Sequence, residues 1–171
     1  GINNFDYSMI QGIKKVTGVV ENVDIEKNID LIIENHPQLD KLLVINEKSV
    51  TGDAIKQQLD TLLLKYKDKI VIDYIDSMDM DEIALKTQQL TYKSAILWVL
   101  LFKDSTGKFF TFKDNLQHIR KLTDTPIYGL WDFYLGYGIV GGYLTSATAQ
   151  AESASKIVER IFAGEHPSRI P

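Results

Sequence analysis

The sequence predicts an α/β fold with an open, mainly parallel sheet and helices on both faces. Four short runs rich in β-branched and aromatic residues lack the polar alternation of half-exposed strands, which is typical of strands buried on both faces. Stretches with helical spacing separate these runs, and this alternation indicates βαβ units with right-handed crossovers. The four runs are residues 42–45, 70–75, 95–102 and 127–130.

Each predicted helix before or between these runs has a recognisable start. The first carries isoleucines at i, i+4, i+7 and i+8 and ends at Pro37. Polar side chains that accept hydrogen bonds from the first turn of a helix mark the N-termini, and an acidic residue three positions later strengthens two of them. These signals are Asp24, Thr51, the pair Asp79 and Glu82, and the pair Thr111 and Asp114.

The end of the chain predicts a further strand, at residues 139–144, followed by an amphipathic helix that opens near Ser146 and ends at Gly164. A polar surface turn is predicted at residues 104–108. The apolar face of the last helix comprises Ala147, Ala151, Ala154, Ile157, Val158, Ile161 and Phe162.

Composition excludes several functional classes. The formal net charge is -4 and the charges are mixed along the chain, which argues against nucleic acid as a partner because such binding needs a basic face. The chain has no cysteine, so thiolate catalysis, cysteine-based zinc sites and disulfides are excluded. No apolar run approaches the ~20 residues of a membrane helix.

Three glycines, Gly136, Gly138 and Gly141, match the dinucleotide-binding pattern GxGxxG. That motif needs a helix opening directly at its third glycine and a second strand after the helix. Here the helix opens only near Ser146, and no second strand follows it. A nucleotide-binding domain or an enzyme using this motif stays open as the alternative, while Gly141 and Gly142 more simply allow a close approach of helix or ligand to the strand.

Metal and catalytic motifs are weak. The three histidines have no helical metal-site spacing, and the acidic residues 76–82 are explained by a helix N-terminus rather than by calcium. No GxSxG or SxxK sequence occurs. We therefore predict no metal, no cofactor and no catalytic residues. The histidines are His36, His118 and His166.

Two groups of residues are candidates for binding a small polar ligand, because each directly follows a predicted strand, at the edge where open α/β sheets bind ligands. Aromatic rings with polar groups and a carboxylate can stack on and hydrogen-bond such a molecule. Trp131 and Phe133 could equally be core residues. The candidates are Asn46, Glu47 and Ser49 after one strand, and Trp131, Asp132, Tyr134 and Tyr137 after another.

Two segments carry a resemblance to a known family. Residues 125–171, TPIYGLWDFYLGYGIVGGYLTSATAQAESASKIVERIFAGEHPSRIP, resemble the closing segment of extracytoplasmic substrate-binding proteins of ABC-transporter type. More narrowly, they resemble the members that serve as ligand-sensing domains on histidine kinases and diguanylate cyclases. Residues 16–52, VTGVVENVDIEKNIDLIIENHPQLDKLLVINEKSVTG, resemble the crossover from the first lobe to the second.

The resemblance implies a two-lobed protein of the type I periplasmic binding protein class that closes about its crossovers. Residues 17–21 and 129–133 would be hinge segments, which adds Glu21 to the candidate ligand contacts. The implied ligands are small polar molecules such as amino acids, and no catalysis is implied. The implied domains are residues 1–24 as a remnant of lobe one, residues 25–128 as lobe two, and residues 129–171 as the return to lobe one.

The resemblance also implies an exported protein, periplasmic or at the cell surface, that touches the membrane only through an anchor outside this sequence. No signal-peptide pattern follows Gly1. Residues 1–6, GINNFD, resemble the last strand end of lobe one, so we expect the front of that lobe to be missing. The last helix would then be covered by the second-lobe sheet or, as we favour, by a second copy in a homodimer. A purely structural or dimerising module is a third interpretation.

Overall fold

The protein is described by a computed structural model that covers residues 2–3 and 5–170. In chain order the strands are β1 (Ile2–Asn3), β2 (Val20–Glu21), β3 (Lys41–Ile45), β4 (Val71–Ile75), β5 (Ser94–Trp98) and β6 (Ile127–Gly129). The α-helices are α1 (Ile25–Asn35), α2 (Val50–Tyr66), α3 (Met80–Gln88), α4 (Phe112–Arg120) and α5 (Ala147–Phe162).

The chain forms two compact units. Unit 1 comprises Gly1–Val23 and Thr145–Pro171, and unit 2 comprises Asp24–Leu144. The domain boundaries expected after residues 24 and 128 remain a prediction. Of residues 1–6, which resemble the end of a lobe-one strand, residues 1 and 4 lie outside the described residues.

Unit 2 is built on a parallel four-stranded sheet with the order β4-β3-β5-β6. The chain moves outward from β3 to β4 and then returns to the other side of β3. Right-handed crossovers therefore place α2 on one face and α3 and α4 on the other. The packing agrees, because α1 contacts α2 and α3 contacts α4. The predicted open α/β sheet, covered by helices on both faces, is confirmed.

Strands β3, β5 and β6 are almost entirely buried because both faces of the sheet are covered. Every residue of β5 is buried, as are the last four of β3, so these strands read as continuous apolar runs. Each predicted run overlaps a strand. The longest, residues 95–102, continues past the end of β5, since Val99, Leu100 and Leu101 stay buried after the strand pairing stops.

Most of the predicted helix starts are confirmed. Asp24 caps α1, and Asp79 and Glu82 form the capping box of α3. Thr111 accepts from the amide of Asp114 at the start of α4. One start is wrong: α2 begins at Val50, and its N-cap is Ser49, not Thr51. The cap residues are Asp24, Ser49, Asp79, Thr111 and Ser146.

The strand predicted at residues 139–144 is not formed. This segment runs beside β6 and makes an isolated bridge between Tyr128 and Gly141. Two backbone hydrogen bonds accompany it, from the Val140 amide to the Ile127 carbonyl at 2.8 Å and from the Gly129 amide to the Gly141 carbonyl at 3.0 Å. The apolar residues that suggested a strand thus lie along the edge of the sheet without continuing its ladder.

The opposite edge of the sheet is β4. Val71 at its start is exposed, whereas Asp73 in its middle is held by two lysines. The Asp73 carboxylate lies 3.0 Å from the Lys41 ammonium and 3.5 Å from that of Lys86. A charged cluster therefore occupies the centre of this edge strand.

Unit 1 contains the parallel pair β1 and β2 and the helix α5. The predicted start of α5 is confirmed, because Ser146 accepts from the Ala149 amide. Gly164 follows the helix with φ +95°, a conformation that favours glycine after a helix C-terminus. None of the residues of α5 is buried, and Val158 and Phe162 are 46% and 87% exposed.

Candidate functional site

The strand order of unit 2 creates a place where neighbouring chain connections diverge. From β3 the chain goes to one side through α2, while β5, the neighbour on the other side, continues through α4. The carboxyl edge of an open α/β sheet is the usual ligand position at such a switch point. The strands end level with one another, since Ile45 pairs with Trp98 and Trp98 pairs with Gly129. The residues that follow these three positions form the candidate site.

Asn46 is the first residue beyond β3 and is 1% exposed. Its amide nitrogen donates to the carbonyl of Gly52 at 2.9 Å and to the hydroxyl of Tyr74. Burial raises the pKa of Tyr74, so this phenol stays neutral near pH 7. The side-chain oxygen of Asn46 is buried and has no hydrogen-bond partner among the described residues. Such an unsatisfied acceptor is costly in a folded protein, and Trp98 Nε1 and Asn115 Oδ1 of unit 2 share this condition.

Glu47 connects the end of β3 to the segment that follows β5. Its Oε2 accepts from the backbone amides of Phe102 and Lys103, the latter at 3.0 Å. The carboxylate therefore spans from the end of β3 to the segment after β5. That segment leads into the predicted polar turn, which is confirmed: Asp104 accepts from the backbone amides of Thr106 and Lys108 at 3.0 Å.

Ser49 and Gly52 shape the first turn of α2. The Ser49 hydroxyl accepts from the Gly52 amide at 3.2 Å. A Cβ at Gly52 would lie 2.1 Å from the carbonyl oxygen of Glu47 and 3.0 Å from both amide atoms of Asn46. Only glycine lets the helix start this close to the end of β3. Sequence reasoning did not single out Gly52, although a glycine in the first turn of a helix is a signal of close approach.

The aromatic residues after β6 form a connected cluster. Trp131 is buried and stacks on Phe133 with ring centroids 6.1 Å apart. Tyr134 is fully buried, its hydroxyl donates to the carbonyl of Val99 at 2.9 Å, and burial raises its pKa. Tyr137 is half-buried, with the Lys113 ammonium 5.7 Å from its ring centroid.

Asp132 lies within this cluster, at the start of the short 3-10 helix Asp132–Tyr134. Its side chain is half-buried. Among the described residues its carboxylate makes no hydrogen bond or ion pair, unlike the carboxylates of Glu47 and Asp104, which accept from backbone amides. Asp132 is therefore an acidic group of this edge with both oxygens available.

The predicted site residues fall into three groups. Two groups lie at the carboxyl edge of unit 2. The first follows β3 and comprises Asn46, Glu47 and Ser49, and the second follows β6 and comprises Trp131, Asp132, Tyr134 and Tyr137. Glu21 belongs to unit 1, where it pairs with Asn3 between β2 and β1. Whether any of them contacts a ligand remains a prediction.

The glycine motif does not have the geometry of a nucleotide-binding loop. Gly136, Gly138 and Gly141 adopt φ of +82°, +133° and +153°, so each needs glycine for a local turn or extended left-handed backbone. No helix begins at Gly141, because the next one is α5, which starts at Ala147 in unit 1. The phosphate-binding arrangement of a strand followed directly by a helix is missing at this position.

Two of the three histidines, His36 and His166, have local partners. His36 Nε2 lies 3.0 Å from the hydroxyl of Tyr128, and His166 Nδ1 accepts from the Ser168 amide at the start of the short helix Pro167–Arg169. Within residues 2–3 and 5–170, no three His, Asp or Glu side chains come together as a metal site. No helix in the same residues has the length and apolar character needed to cross a bilayer.

Unit 1 has an apolar cavity of about 420 Å³. Its lining is mostly aromatic and aliphatic, and the hydroxyl of Thr17 is already donated to the carbonyl of Ile170 at 3.0 Å. Selective sites for polar ligands place several polar groups around the ligand. This lining does not provide such a set.

The sequence and fold comparisons define the class of protein. The profile of the ABC transporter substrate binding protein family matches residues 6–171, and the chain belongs to that family. Among solved structures, the chain resembles a conserved domain protein from Vibrio cholerae O1 biovar El Tor strain N16961, with a TM-score of 0.61 and 18% identity. The match covers 89% of this chain and 50% of the other, so the chain spans about half the length of that protein. No match was found among the curated proteins.

Membership in this family supports the binding of a small molecule in general terms, and proteins of this family are usually extracytoplasmic and typically non-catalytic. The likeness to the solved structure concerns the fold alone.

Proposed function

We propose that this chain is an extracytoplasmic ligand-binding domain that recognises an amino-acid-like molecule at the carboxyl edge of unit 2. The observation that carries the proposal is the set of unsatisfied acceptors at the topological switch point. The Asn46 oxygen is buried without a partner among the described residues, and the Asp132 carboxylate is available on the same edge. An ammonium group of a ligand would supply donors to the Asp132 carboxylate.

The remaining candidates support this role in two different ways. Trp131 and Tyr137 offer aromatic faces for an apolar or aromatic side chain of the ligand, and such faces also attract cations. Glu47, Ser49 and Tyr134 act indirectly, since their polar atoms already bind backbone groups that shape the edge. Nothing in this arrangement requires a reaction, so we propose binding without catalysis.

A binding screen tests the ligand class. Each of the common amino acids, ATP, NAD and FMN is added to the protein, and thermal unfolding is followed. A ligand that binds only the folded state raises the unfolding temperature, and the rise grows with the ratio of free ligand to its dissociation constant. We expect stabilisation by one or a few amino acids. Stabilisation by a nucleotide or a flavin alone would favour the nucleotide-binding alternative and reject our choice.

The site is tested with Asp132→Asn, which removes the charge and keeps the shape. We expect the amino acid to lose its stabilising effect on this variant. Asp68→Asn is the matched control. Asp68 is exposed and precedes β4, so it lies at the amino ends of the strands, away from the carboxyl edge. Equal ligand stabilisation of both variants would reject Asp132 as a ligand contact. Trp131→Ala should weaken binding as well, provided that the variant alone still unfolds cooperatively.

We further propose that binding serves an attached signalling module, a histidine kinase or a diguanylate cyclase, or else a transporter. The support is the resemblance of residues 125–171 to sensor members of the family. The reading frame of the gene discriminates these options, because a kinase or cyclase domain after this segment would indicate a sensor. A solitary binding domain encoded beside transporter genes would indicate a transport role.

We also propose that a second copy of the chain covers the apolar face of α5 in a homodimer. The face carries Ile157 and Ile161, which are half-buried, beside the exposed Val158 and Phe162. Exposed apolar patches of this kind mark interaction surfaces. Light scattering should detect a concentration-dependent dimer that is lost in the double variant Ile157→Asp, Ile161→Asp. A monomer at all concentrations would reject the dimer.

A further inference from the structure

The chain passes from one compact unit to the other twice, between Val23 and Asp24 and between Leu144 and Thr145. On the side of unit 2, the first passage leads directly into α1, whose N-cap is Asp24. The second leaves from the segment that runs beside β6. One side chain in the first turn of α1, Asn28, is bonded to both passages.

The side chain of Asn28 is fully buried, and its amide group makes three hydrogen bonds. Its Nδ2 donates to the carbonyl of Asp24 at 2.8 Å and to the carbonyl of Tyr143 at 3.1 Å. Its Oδ1 accepts from the backbone amide of Tyr143 at 2.9 Å. Asn28 thus binds both backbone groups of Tyr143, as the residue on a neighbouring strand would do.

The local sequence is adapted to this contact. Gly142 has φ +155°, and a Cβ there would lie 2.9 Å from Asn28 Oδ1 and 2.2 Å from the carbonyl oxygen of Gly129. The segment before the second passage is therefore held from two sides, by β6 and by Asn28. In unit 1, the hydroxyl of Thr145 makes a longer bond, 3.4 Å, to the carbonyl of Asn22 beside the first passage.

Packing alone does not explain an asparagine at this position. Its neighbours on the inner face of α1 are the buried residues Ile25, Ile29 and Ile32, and an aliphatic residue would bury more apolar surface there. A buried amide lowers stability unless its hydrogen bonds are made. The hydrogen bonds of Asn28 go to Asp24 and Tyr143, one beside each passage. Tyr143 lies outside every strand, so the sheet does not bind its backbone groups.

We infer that Asn28 is a positioning residue that clamps the two inter-unit passages to each other at the edge of unit 2. Both passages then leave unit 2 from one fixed point. Flexing of the chain between the units is confined to the bonds beyond this clamp, and a disturbance of one passage reaches the other through the Asn28 side chain. This inference does not depend on the ligand or on the position of the ligand site.

Amide hydrogen exchange on the full chain tests the clamp. In the wild type, we expect the Tyr143 amide and the side-chain amide of Asn28 to be protected from solvent exchange. In Asn28→Leu, exchange should quicken by roughly 10-fold or more both at residues 24–28 and at residues 141–144, as expected from the loss of two or three buried hydrogen bonds.

Asn115→Leu is the matched control. Asn115 is also a buried asparagine on a helix of unit 2, and it donates to the carbonyl of Leu101, far along the chain from either passage. This variant should leave exchange at both passages unchanged relative to the rest of unit 2. If Asn28→Leu does not fold, Asn28→Asp replaces it, because the aspartate keeps the acceptor and loses the two donors.

Two results would overturn the inference. One is rapid exchange of the Tyr143 amide in the wild type. The other is a variant at Asn28 that quickens exchange at one passage and leaves the other as it was, since the passages would then be independent.

Discussion

Gly142→Ala should destabilise unit 2 far more than Gly141→Ala, which is its natural control. The two glycines are adjacent and have nearly the same φ, +155° and +153°. A Cβ at Gly142 would lie 2.2 Å from the carbonyl oxygen of Gly129, whereas a Cβ at Gly141 has no atom within 4 Å. The pair separates the steric cost of a methyl group from the backbone cost of replacing glycine.

The magnitudes follow from the two terms. Holding alanine in this region of the backbone map costs ~1–3 kcal/mol, and both variants lose that much. Overpacking against the Gly129 carbonyl adds ~1–3 kcal/mol to Gly142→Ala alone. Displacement of the Asn28 amide adds about 1 kcal/mol for each hydrogen bond that is lost. We therefore expect Gly142→Ala to be less stable than Gly141→Ala by ~2–4 kcal/mol.

Urea unfolding followed by tryptophan fluorescence measures this difference in unit 2. The chain has two tryptophans, Trp98 and Trp131, and both belong to that unit. The free energy of unfolding is compared at unchanged m-value, so that a change in midpoint reports stability. Equal losses in the two variants would show that Gly142 does not approach Gly129 as closely as described, and the reasoning would fail.

Three further outcomes are expected from the same fluorescence assay. Ser49→Ala should lower the free energy of unfolding by ~1 kcal/mol through loss of the helix cap, while Thr51→Ala changes it by less than ~0.5 kcal/mol; the reverse order would move the cap to Thr51. Glu47→Ala should cost ~2–4 kcal/mol, because two backbone amides lose a charged acceptor, and a loss no larger than that of the exposed neighbour Lys48→Ala would count against the bridge. Burial and a hydrogen bond to a carboxylate raise the pKa of Tyr66 to about 12 from 10.0, so its neutral form is favoured by folding. Stability from this group is complete below about pH 10 and is lost as the pH rises toward about 12. Tyr66→Phe should flatten that alkaline loss, and an unchanged pH profile would contradict the assignment.

Much of the fold could be predicted from the sequence because local and global signals agree in unit 2. The buried strands are apolar on both faces, and the helix caps are chemically distinctive. The signal failed at residues 139–144, where the apolar pattern of a strand is present but only one isolated bridge to β6 forms. The Tyr143 backbone binds the Asn28 side chain, and no periodicity reveals that kind of partner.

The site was harder to predict, because a polar residue after a strand has two possible uses. Glu47 and Ser49 follow a strand, which is where ligand contacts are expected. In the fold, however, both accept hydrogen bonds from backbone amides. Their partners, Phe102 and Gly52, lie at different distances along the chain and cannot be read from spacing. Asn28 could have been noticed, since a polar residue interrupts the isoleucine face of α1.

The charged centre of β4 has a consequence for association of the protein with itself. An edge strand exposes unpaired backbone groups that can accept another strand, and residues 71–75, VIDYI, would otherwise form an apolar ribbon at such an edge. Asp73, held between Lys41 and Lys86, would have to leave both lysines or be buried beneath an incoming strand. Either route carries an electrostatic penalty, so the sheet resists growth from this side and the open fold stays finite.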